Sequence, residues 1–163
     1  MAILGRARTA TGAGVITTLI LVLLFGNQAF TEWVGKHANP DTVWGWFLRK
    51  LAWPAWAVGL HDESTSQVRD LLAQDLRALL LVAFVAAVLG ISSKSLSGGG
   101  GAFILGWAAL IFGSALAAFF TAFIASNASW LGAFQAAADG SAYGLFVGWL
   151  VGIAVSSAKG GGS

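Results

Sequence analysis

Between Ala102 and Ala125 the chain runs for 24 residues without one charged side chain. A helix needs roughly 20 such residues, at about 1.5 Å of rise each, to cross a hydrocarbon layer of about 30 Å. A soluble fold has little use for so long an uncharged stretch, so lipid is its natural solvent. The rest of the composition agrees. Only 10% of the residues are charged and 57% are hydrophobic, against about 25% charged in an ordinary soluble domain. Eight Trp and eleven Phe suit a chain whose rings sit at membrane–water boundaries.

Four spans are expected. The first covers about 10–30, with no charge before Glu32. The second covers about 64–92. Its apolar centre, Ala78 to Ile91, is short, but Ser64 and Gln67 have the spacing of a capping box. Val68, Leu71, Leu72, Leu76 and Leu79 extend the helical period upstream, with Arg69, Asp70, Gln74 and Arg77 on other faces. This predicts one long helix whose amphipathic first half leaves the bilayer and needs a partner surface, from the preceding loop or from another protein. The third span is 102–125. The fourth is about 142–158, with a start as early as Trp130 if Asp139 and Gly140 lie near the interface.

The chain is thus read as one all-α integral membrane domain, residues 1–163, with four transmembrane helices and a long Trp-rich extracytoplasmic loop over 31–63. Arg6 and Arg8 ahead of an apolar stretch have the look of a signal peptide. Three more apolar segments follow and no clear cleavage site does, so this segment is read as a retained first span. Lys and Arg in the short flanks place both termini in the cytoplasm. The Ala- and Gly-rich composition suits a high-GC bacterial genome, and the expected location is the inner (plasma) membrane.

The loop carries Trp44, Trp46, Phe47, Trp53 and Trp56 within 13 residues that hold only two charges, Arg49 and Lys50. Such a segment predicts a short interfacial helix stopped at Pro54, with indoles at the acyl boundary and the two cations among headgroups. It would serve as a docking surface for a subunit or a lipid, or simply as an aromatic anchor. Small residues recur every four positions in three spans: Ala10, Gly14 and Thr18; Ala109, Gly113, Ala117, Thr121 and Ala125, with Ser114, Ala118, Ala122 and Ser126 beside them; and Gly144, Gly148 and Gly152. A row of this kind lets another helix approach closely. The partner is either a helix of the same bundle or a neighbouring subunit.

Little in the sequence carries chemistry. There is no cysteine, hence no thiol catalysis and no cysteine-held zinc or iron–sulfur cluster. His61 adjoins Asp62 and Glu63, but no further spaced ligand set accompanies them, and they are read as solvated loop residues. The span centres hold no Asp, Glu, Lys, Arg or His, which argues against a proton-coupled carrier and against haem or chlorophyll held by an intramembrane His. Asp75, Arg77 and Asp139 are placed at span ends. No catalytic residue, metal site or cofactor is expected, and a net charge of +2 without a basic run gives no nucleic-acid partner.

These features predict a non-catalytic accessory or structural subunit of a larger bacterial membrane complex. Its partners would be other membrane protein subunits, the lipid bilayer and bound lipid. An envelope lipid-transport machine is the first expectation for that complex, and a respiratory or energy-converting complex the second. The competing reading is a homo-oligomeric pore or lipid conduit with Ser114 or Ser126 facing the lumen.

Overall fold

The computed structural model describes residues 9–57, 65–92, 98–125 and 128–160. These residues form six helices and, among them, no strand. Helix α1 spans Ala10–Phe25. Thr9 caps it by accepting a hydrogen bond from Gly12 N at 3.0 Å. It stops well short of residue 30, and Asn27 is the reason. The side-chain amide of Asn27 donates to Leu23 O and Leu24 O, closing α1. Its Oδ1 accepts from Phe30 N at 2.9 Å, opening α2, Gln28–His37. The two helices meet at 55°. Thr42 caps α3, Val43–Leu51, in the same way as Thr9 caps α1.

The other three helices are long. Helix α4 is Thr65–Ser92, α5 is Gly99–Ala122 and α6 is Trp130–Gly160. The single long helix over the amphipathic stretch is present as expected, although Ser64 of the capping box lies outside the described residues. The fourth segment extends over the whole of Trp130–Gly160, so Asp139 and Gly140 lie within a continuous helix. Gly98 takes φ 97° at the start of α5, a conformation that suits glycine. All three helices are apolar and long enough to cross a membrane, and α1 with α2 would make a fourth, bent crossing.

Packing follows the small residues. Helix α5 lies against α6 over the most extensive contact in the molecule, then comes α4 against α5, and α1 fills the gap between α6 and α4. The four form a ring in the order α1–α4–α5–α6. Leu81, Val85, Leu89, Leu110, Val147, Val151 and Val155 meet at its centre, each almost fully buried. A Cβ on Gly144 would strike the backbone of Ile111. One on Gly152 would lie 2.7 Å from Phe103 O, and one on Gly106 2.9 Å from Gly152 Cα. The glycine rows are therefore what lets α5 and α6 touch backbone to backbone, and the dispersion gained there substitutes for the hydrophobic drive that lipid withholds.

Candidate functional site

The five residues after α3 turn back into the helical ring rather than along its surface. Pro54 is fully buried. Trp56 N donates to Gly26 O at 2.8 Å and Trp56 Nε1 to Val22 O at 3.0 Å, which ties the loop to the open end of α1. Ala57 N donates to Asp75 Oδ1 at 3.0 Å, tying it to α4. The Trp53 ring stacks on Tyr143 of α6 with centroids 5.1 Å apart, and the Arg77 guanidinium lies 5.3 Å from the Trp53 centroid. A segment of a few residues thus bridges three helices at one level.

Charged groups collect around this insertion. Lys50 Nζ pairs with Asp139 Oδ1 at 3.0 Å, and Arg49 donates to Ala38 O through Nε and Nη2. Ser114 faces Gly140 at the same level. Its Oγ lies 2.6 Å from both Leu110 O and Gly140 O, so one proton serves two carbonyls. Among the described residues, two buried side-chain atoms, Arg77 Nε and Tyr143 Oη, have no hydrogen-bond partner. Asp75, Arg77 and Asp139 are thus not terminal in their helices. They sit well inside α4 and α6, held by a loop whose insertion no periodicity signals.

The aromatic residues expected along the interface divide into two groups. Trp44 is exposed and stacks only on Phe47, whereas Trp46 meets Phe146 of α6 edge-on at 4.9 Å. Trp53 and Trp56 belong to the interior junction. Of the two cations read as facing headgroups, Arg49 fastens α3 to the end of α2 and Lys50 fastens it to α6. The Trp53–Tyr143 stack, the two-way capping by Asn27 and the Lys50–Asp139 pair are not read from sequence periodicity. Asn27 alone carried a local signal, its preference for helix N-caps.

The ridge residues are placed plainly. Ala109, Gly113, Ala117 and Thr121 are buried against α4 and α6, and Gly144, Gly148 and Gly152 against α5, while Ala125 is half-buried beyond the end of α5. Ser126 lies outside the described residues, as do His61, Asp62 and Glu63. His37 stacks on Trp33, with Nδ1 3.0 Å from Trp33 O. No three His, Asp or Glu side chains gather among the described residues. No protein-family model matches this chain, and no curated protein or solved structure matches it either.

Beyond the inserted loop the molecule continues as three helices, the first part of α4, the end of α5 and the start of α6. Arg69 of α4 donates to Ile124 O at 3.1 Å and to Ala125 O, capping the end of α5 with a cation. Phe119 contacts Phe120, Phe123 and Phe134, and Phe123 meets Trp130. In this tower, one face of the start of α6 is apolar and exposed: Trp130 is 70% exposed, Leu131 69% and Phe134 62%. On the other side of the inserted loop, α1 and α4 diverge around a groove of about 500 Å³, lined by Leu19, Val22, Trp56, Leu79 and Val82 with Asp75 at one end.

Proposed function

We propose that the chain is a non-catalytic subunit of a larger membrane complex, held by four helical crossings and docked to a helix of a different membrane protein through the apolar side of its tower. A conflict of polarity at a single height carries this reading. Gln67 and Arg69 of α4 are exposed and need water or headgroups, yet Trp130, Leu131 and Phe134 are exposed beside them. Lipid would suit the aromatic side and desert the charged one; water would do the reverse. A protein helix laid over Trp130, Leu131 and Phe134 satisfies both sides, and large aromatic residues are what such contacts favour.

The charges around the inserted loop support the same depth. A charged side chain at the bilayer centre costs about 2.5–3.5 kcal/mol or more, so Lys50, Asp75, Arg77 and Asp139 fit best at headgroup level. That leaves α1 as about 24 Å of helix on the membrane side of them, somewhat less than a typical hydrocarbon layer, a mismatch that thinning absorbs at modest cost. The pore reading is weakened by Ser114, which is fully buried between helices with its hydroxyl used.

Purification from native membranes in mild detergent tests the proposal. The chain is expected to emerge with a defined set of larger membrane subunits, and Phe134→Glu is expected to release it from them while leaving it folded. Recovery of the wild type only as an isolated monomer would sink the reading.

A further inference from the structure

A second feature of the tower lies between its helices and opens to the surface. Between α4, α5 and the start of α6 lies a cavity of about 250 Å³ lined by Ala73, Arg77, Ala118, Thr121, Gly132 and Ala136, with Ala122 and Ala125 at its edge. Every lining residue is small except Arg77. Thr121 donates its hydroxyl to Ala117 O at 2.8 Å, which leaves Arg77 as the donor of the cavity. Its Nε is buried and unpartnered. Asp75 accepts from Ala57 N and Asp139 pairs with Lys50.

A buried guanidinium N–H without an acceptor is costly, and the Trp53 ring 5.3 Å from the Arg77 guanidinium returns only a part. The carbonyls ending α5 favour a cation, but two of them already receive Arg69. The first turns of α6, whose dipole favours an anion, border the cavity at Gly132 and Ala136. Space, a buried unpartnered N–H of a guanidinium and a small-residue lining together describe an anion site, and guanidinium geometry matches the paired oxygens of phosphate.

We propose that this cavity binds a singly charged phosphate group, carried by a phospholipid headgroup or by a free phosphate, with Arg77 as its ligand. This stands independently of what docks on the outer face of the tower. The test uses the full chain, purified in an uncharged detergent. Binding is followed by thermal unfolding and native mass spectrometry with three additions: dihexanoyl-phosphatidylglycerol, inorganic phosphate, and dihexanoylglycerol, which has the chains but no phosphate. One of the first two is expected to stabilise the chain and bind one to one, and which one does so names the source. Arg77→Gln is expected to bind it roughly tenfold or more weakly, as loss of a charged hydrogen bond implies. Arg77→Lys, which keeps the charge and loses the fork, is expected to fall between the two, and it serves in place of Arg77→Gln if that variant does not fold. Equal stabilisation by dihexanoylglycerol, no response to either phosphate, or full binding by Arg77→Gln or Arg77→Lys would each overturn the proposal.

Discussion

Glycine does opposite things in different places in this chain. Gly144 has the backbone of Ile111 where its Cβ would be, whereas a Cβ on Gly90 would meet nothing within 4 Å. Gly144→Ala should therefore destabilise the fold by about 1–3 kcal/mol through overpacking, and Gly90→Ala should stabilise it by about 0.5–1 kcal/mol through helix propensity. Thermal unfolding in micelles reads both. Opposite signs are the expected result, and equal effects would contradict the α5–α6 packing. The four-residue spacing of these glycines is legible in the sequence, because helical periodicity is a local property. Which ridge meets which helix is not, since Ala, Gly and Ser offer no chemistry to tell one groove from another. Tyr143 is a sharper case: its partner is Trp53, 90 residues away, and no spacing rule connects them.

At the scale of elements, the three long helices are readable because each combines an uncharged run with helical period. Two features of the fold go beyond what hydropathy carries. The first apolar stretch looks like one span because hydropathy averages over Gly26 and Asn27, while the backbone responds to the Asn27 side chain, which caps in both directions. Asn27→Ala removes both caps at once, and about 1 kcal/mol or more of stability should go with it. Retention of the wild-type melting temperature would contradict the break described here. The Trp-rich loop looks interfacial because aromatic residues with few charges usually are. Its Trp53 and Trp56 instead find carbonyl and ring partners inside the bundle, and only tertiary contacts supply those. The Lys50–Asp139 pair between α3 and α6 reports the polarity of that level. In a double-mutant cycle with Lys50→Met and Asp139→Asn, a headgroup or aqueous setting predicts a coupling of about 0.2–1 kcal/mol. A loss of several kcal/mol in the single variants, as for a broken buried pair, would put this level in hydrocarbon and remove the support drawn from the charges.

For the whole molecule, the question is what covers the side of the tower where Trp130, Leu131 and Phe134 stand exposed. The glycine ridges are spent within the bundle, so association with another subunit has to use larger side chains. The chain contains no cysteine, which allows a benzophenone reagent to be placed at one chosen position. Attached at Phe134→Cys and irradiated in native membranes, the probe should form one discrete adduct with a second, different membrane protein. At Ile104→Cys, on the outer face of α5 away from the tower, it should label lipid alone. Lipid adducts at both positions, or an adduct of twice the chain's own mass, would contradict the account.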